Sequence, residues 1–146
     1  MNRKLAKFGV SYASMKLGIS GIEVHYESES FFLSNDISAV FLKEGYSIVF
    51  NQDWLDAANE IEVLICSFHE TRHAYQWACI DLPKVYSSDP GIVSVWKKEF
   101  GEYRPPGNIE YITQSIESDA CKYSDFLLKQ FIHEYNLDDN QTSKVE

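Results

Sequence analysis

The spacing of apolar residues along the chain changes period several times, and each change predicts an element. Between residues 3 and 17, Leu5, Phe8, Tyr12 and Met15 recur at three- and four-residue intervals, the period of one helix face, and Gly18 follows as a stop. From Gly21 the period falls to two. Ile22, Val24 and Tyr26 alternate with Glu23, His25 and Glu27, as in a half-buried strand, with His25 on its outer face. Two further apolar runs, ISAVFLK (37–43) and YSIVFN (46–51), flank Glu44-Gly45, where glycine accepts the positive φ of a hairpin turn.

Asp53 then reads as an N-cap with Asp56 three residues on, and from Trp54 to about Ile80 no Pro or Gly interrupts a helix. Its apolar positions (Ile61, Leu64, Ile65, Phe68, Ala74, Trp77 and Ala78) go almost all the way round, which predicts a central helix packed on several sides. Asp81-Leu82-Pro83 ends it. A shorter helix over about 92–103 is closed by Pro105-Pro106-Gly107. Asn108 can cap a last helix running to roughly 132, with Ile109, Ile112, Ile116, Ala120, Tyr123 and Leu127 on its apolar stripe. The reading is an α+β chain with one domain over 1–133 and a polar, frayed tail over 134–146.

Composition narrows the function classes. A length of 146 residues with 45% hydrophobic residues supports a single core. Thirteen Lys and Arg against 22 Asp and Glu leave a formal charge of −9, a poor match to phosphate, so no nucleic-acid partner is expected. No apolar run is long enough for a bilayer, and the residues after Lys4 and Lys7 are too broken by Ser11, Ser14 and Lys16 for an export signal. Cys66, Cys79 and Cys121 form no paired framework, which suits a reducing, cytoplasmic setting.

The central helix carries His69-Glu70-Thr71-Arg72-His73, an H-E-x-x-H motif. Residues four apart on a helix share a face, so both imidazoles point toward one place, as two zinc ligands must. Glu70 sits about 100° round the helix from His69. There it can act on a metal-bound water as general acid and base without being a ligand. A shuffled chain of this composition shows the motif roughly one time in a hundred. The last helix offers Glu110, Glu117 and Asp119 for the third ligand, and periodicity alone does not choose between Glu117 and Asp119. A closed site from Cys66, Cys121 and the two histidines is the structural alternative, but Cys66, His69 and His73 lie in one line spanning two turns, about 10 Å of axis.

The order of strand YSIVFN, helix with HETRH, and later helix with Glu117, Ala120, Tyr123 and Ser124 resembles the gluzincin side of the zinc metallopeptidases. The likeness is greatest to the small ImmA/IrrE-like minimal zincins, whose downstream helix carries E-x-x-A followed by an aromatic and a small residue. The resemblance implies a compact zincin-like domain, a small sheet of about three strands packed on the central helix. It implies His69, His73 and Glu117 as ligands of Zn²⁺, and Glu70 as the catalytic acid/base. The implied activity is peptide hydrolysis, and the implied substrate a protein or peptide such as a regulator. The family often has Gly before the second histidine. Here Arg72 stands there, free to pair with Asp119 or Glu110 behind the ligands. Tyr75, Tyr103, Tyr111, Tyr123 and the distant His133 are the candidates to stabilise an oxyanion. If YSIVFN is the edge strand beside the metal, it can align a substrate by strand addition, with Trp96, Tyr103 and Pro105-Pro106 as the opposite wall. The alternative is a zincin-shaped binding or regulatory module that cleaves nothing.

Overall fold

Ser47–Asn51 is buried at all five positions, a pattern that requires neighbours on both faces and both edges. In the computed structural model, which describes residues 2–34, 36–86, 89–102 and 114–145 with side chains to 136, this segment is indeed the middle strand of three. Helix α1 (Asn2–Leu17) leads to β1 (Glu23–Glu27), a single 3₁₀ turn (Glu29–Phe31), β2 (Ala39–Leu42) and β3 (Ser47–Asn51). Four helices follow: α2 (Gln52–Ala57), α3 (Glu60–Asp81), α4 (Pro90–Gly101) and α5 (Ser115–Val145). Among the described residues the result is a mixed α+β arrangement of five helices and a small mixed sheet.

The sheet order is β1-β3-β2, with β1 parallel to β3 (Glu23 opposite Ser47) and β2 antiparallel to it (Ala39 opposite Phe50). YSIVFN is therefore not the edge strand; β2 is. Its continuous apolar run marks a strand buried on both faces, whereas β1 alternates exposed and half-buried residues. The hairpin joining β2 to β3 takes its positive φ at Tyr46 (46°), not at Gly45. Gly18, at φ 70°, does end α1.

Helix α1 packs through Leu5 and Tyr12 of the expected face, but its buried stripe is turned toward the small residues beside them. Phe8 and Met15 are exposed, and the buried stripe is Ala6, Gly9, Val10, Tyr12 and Ala13. Small side chains let α1 approach α3 closely: a Cβ on Gly9 would lie 2.7 Å from the Ser67 Cβ. The long helix predicted from Trp54 is broken at Ala58, although no Pro or Gly stands there. Two asparagines do the work instead. Asn51 caps α2 by accepting from the N–H groups of Asp53 and Trp54, and Asn59 restarts the chain as the cap of α3. Asp53 is no cap; its carboxylate accepts from the N–H of Glu29.

Helix α3 lies between α1 and α5 and against the sheet. Phe68 and Leu64 meet Tyr12 and Leu127 on one side, and Val63 joins Val10, Ile48 and Phe50 on another. It keeps a wet stripe at Ile61 and Ile65, so it is not apolar all round. The cap predicted at Asn108 lies outside the described residues. Instead, the Glu99 carboxylate of α4 accepts from the N–H groups of Ser115 and Ile116, both at 2.8 Å, and so caps α5 in trans. Helix α5 runs on to Val145 rather than ending near 132, because nothing after Ser115 interrupts it with Pro or Gly. Among the described residues, no helix is long and apolar enough to cross a membrane.

Candidate metal centre

His69 and His73 stand one turn apart on α3, and their rings meet edge to face with centroids 4.8 Å apart. Helix α5 crosses above them and delivers Glu117, 2% exposed, between the two. One carboxylate oxygen lies 3.0 Å from His69 Nε2 and the other 3.0 Å from His73 Nε2, while the two Nε2 atoms are 3.1 Å apart. Ligand atoms on zinc bonds of 2.0–2.1 Å in a tetrahedron are separated by about 3.3–3.4 Å, so this triangle is close to that of an occupied site. Glu70 completes the group. Its carboxylate lies within 4.8 Å of both imidazoles, further out than Glu117, and also takes a backbone hydrogen bond from Phe41 on β2.

The charge states follow from this crowding. Burial pushes the Glu70 carboxyl up, although both imidazoles oppose that shift. Burial would also raise Glu117, but hydrogen bonds from both histidines outweigh it and hold this carboxyl well below the usual carboxylate range. Burial alone would lower His69; the Cys121 and Glu117 hydrogen bonds and the nearby acids reverse it, to about 10. His73 is likewise raised against its burial, first by Glu117. Two buried carboxylates thus hold protons on two imidazoles, the electrostatic setting that a divalent cation satisfies directly.

The second test of fit is the direction of the His73 ring. Its Nδ1 lies 2.9 Å from Gln76 Oε1, which can only accept, so Nδ1 carries a hydrogen in either charge state, and it is Nε2 that gives up its proton to turn a lone pair toward Glu117 and His69. His69, His73 and Glu117, with Glu70 beside them, are thus residues that could hold a metal ion such as zinc.

Asp119, the rival third ligand, points elsewhere. It receives a bidentate pair from Arg72 at 2.7 and 3.1 Å and the Gln76 amide at 2.8 Å. Glu110 lies outside the described residues. The closed four-ligand alternative is not assembled: Cys66 packs against the core beside Val63, and Cys121 Sγ sits 3.8 Å from His69 Nδ1, behind the ring. Of the oxyanion candidates, Tyr103 and Tyr111 lie outside the described residues. Tyr75 and Tyr123 flank the Arg72 guanidinium, each ring centroid 4.7 Å from it. His133 is sixteen residues past Glu117, about 24 Å along the helix. Trp96, offered as a wall, is buried with Cys79 and Ile116 and covers the core. His25 is exposed on β1 beside Glu23.

Sequence reasoning missed Gln76 and Glu99. Gln76 had a signal, since it follows His73 by three residues and so shares its face. Glu99 had none, because its partner is a backbone terminus on another helix.

A cavity of about 410 Å³ opens onto the centre. Phe31, Leu33, Val40, Leu42 and Phe100 line it, and Glu70, His73 and Glu117 form its floor. A roomier depression of about 650 Å³ between α1 and β1 holds no comparable convergence of ligand atoms. No protein-family model, curated protein or solved structure matches this chain.

Proposed function

We propose that the protein is a zinc-dependent peptidase of zincin-like architecture. The observation that carries the reading is the triangle of His69 Nε2, His73 Nε2 and the Glu117 carboxylate, with the unliganded Glu70 alongside. When bound, zinc would lower the pKa of water and polarise the substrate carbonyl. His69, His73 and Glu117 would hold the metal. Glu70, whose proton affinity is raised by burial, takes a proton from the attacking water and passes it to the leaving amine. The apolar cavity keeps bulk water from competing for those charges.

A peptide fits this site better than a small amide, because among the described residues β2 pairs only with β3, and Ala39–Leu42 of β2 border the same cavity. An extended chain can add there as a fourth strand, with apolar side chains facing Phe31, Leu33 and Leu42. The ImmA/IrrE resemblance points to a cytoplasmic regulatory protein as substrate. One observation favours the silent-module reading instead: Tyr75 and Tyr123 are both held on Arg72 rather than offered to an oxyanion.

The deciding experiment incubates zinc-loaded protein with a fluorogenic peptide library beside Glu70→Gln, and measures hydroxamate binding to both. Cleavage by the wild type alone, with hydroxamate bound by both, supports the peptidase. Hydroxamate binding without cleavage of any peptide or of candidate regulators favours the silent module.

A further inference from the structure

Gln76 is fully buried and touches both helices that supply the metal ligands. Its Oε1 meets His73 Nδ1 at 2.9 Å, while its Nε2 donates to the Ile116 carbonyl at 3.0 Å and to Asp119 Oδ2 at 2.8 Å. A carbonyl and a carboxylate can only accept, so the amide has one permitted orientation. Turning it over would set its oxygen against two acceptors and its NH₂ against His73. The orientation is anchored further out. Asp119 is gripped by both arms of Arg72, which is permanently cationic and lies between the rings of Tyr75 and Tyr123, with Trp96 at 5.9 Å.

Each link has a polarity. The fixed cation holds the anion, the anion holds the amide NH₂, and the amide oxygen takes the Nδ1 hydrogen of His73. The same NH₂ ties down the carbonyl of Ile116, the residue immediately before Glu117. One side chain therefore acts on a ligand of α3 and on the backbone that carries the ligand of α5.

We infer that Gln76 is a positioning residue that selects the His73 tautomer and, through Ile116, places Glu117, with Asp119 and Arg72 as its anchor. Its consequence for zinc rests on the metal reading above; the grip on His73 does not.

Two variants separate the two tasks. Gln76→Leu removes both, whereas Gln76→Glu keeps an acceptor for His73 and sets a carboxylate against Asp119 and Ile116. The readouts are zinc Kd by chelator competition and the exchange-protected His73 Nδ1–H signal in ¹H–¹⁵N spectra, metal-free and zinc-loaded. Circular dichroism of the metal-free proteins checks the fold. In Gln76→Leu the protected signal is lost and zinc binds about 10–100-fold more weakly. In Gln76→Glu the signal survives while zinc is still weakened, a split that a merely structural residue would not produce. Should the leucine variant not fold, Asp119→Asn frees the amide to turn over, and the same signal then weakens. A protected signal in Gln76→Leu with Kd within about threefold of wild type, below the loss expected for an outer partner, overturns the inference. Failure of the wild type to take up zinc would remove the metal reading, and the metal-free signal would still decide whether Gln76 holds His73.

Discussion

Replacing Glu117 by alanine tests the ligand set most directly. The side chain is 2% exposed and both its oxygens face imidazole nitrogens at 3.0 Å, so its loss leaves no anion between the two histidines. Four-ligand zinc sites are worth about 10–16 kcal/mol, or about 2.5–4 kcal/mol per ligand if shared evenly. At about 1.4 kcal/mol per decade, that weakens Kd by about 10²–10³-fold. Thermal unfolding with added zinc reads this without a substrate. At free zinc 100-fold above the wild-type Kd, the wild type gains about 2.7 kcal/mol and the variant about 0.4 kcal/mol or less. For a chain of this size the Tm shifts are about 5–11 °C and about 1–2 °C. A variant that keeps the full zinc-induced shift refutes the assignment. Among the described residues Glu70 is the next carboxylate, within 4.8 Å of both imidazoles, and if it were the ligand a mechanism with Glu70 as base would fall too.

Glu70→Gln keeps the zinc-induced Tm shift and slows peptide hydrolysis about 10²–10⁴-fold, measured as kcat on any substrate the library yields. Gly9→Ala brings a Cβ to 2.7 Å from that of Ser67, whose Oγ already donates to Val63 O. Overpacking of about 1–3 kcal/mol, less about 1 kcal/mol of helix propensity, leaves a net loss of about 1 kcal/mol in urea unfolding. An unchanged or raised midpoint would mean that α1 and α3 can separate freely. Burial, then the neighbouring Tyr86 and Cys79, push the Tyr46 hydroxyl up to about 12 from its usual 10.0. The unfolded chain therefore loses this proton first, and stability falls as pH rises from about 10 to 12 while this term is absent below about 9. Tyr46→Phe flattens that part of the stability–pH curve, and an identical slope in both proteins would contradict it.

Local signals were readable from sequence, and contacts between distant segments were not. The H-E-x-x-H spacing sufficed to place His69, Glu70 and His73, because a helix dictates which residues four apart share a face. That Asp119 faces away from the two histidines depends on Arg72 and Gln76, whose hydrogen bonds hold it across more than forty residues. The three strands were visible in their periods, but their order was not, since the parallel pairing of β1 with β3 is a long-range event. A clue was present in the unbroken apolar run of β3, which belongs in the middle of a sheet. The break before α3 escaped because asparagine caps ended one helix and began another without Pro or Gly. On α1, Leu5 and Tyr12 were legible as core residues, but Ala6, Gly9 and Ala13 were not, because close approach to α3 favours small residues over Phe8 and Met15.

The parallel pairing of β1 has a consequence for how the chain is made. Helix α1 and β1 leave the ribosome before β3 and α3, which cover them. Gly9 waits for Ser67, about 58 residues on, and at 5–20 residues per second that delay is about 3–12 s. Through that interval Val10, Ile22 and Val24 lack the later part of their cluster, Ile48, Phe50 and Val63. Slowing translation between residues 30 and 60 would therefore lengthen the exposure of these apolar side chains rather than help the chain fold.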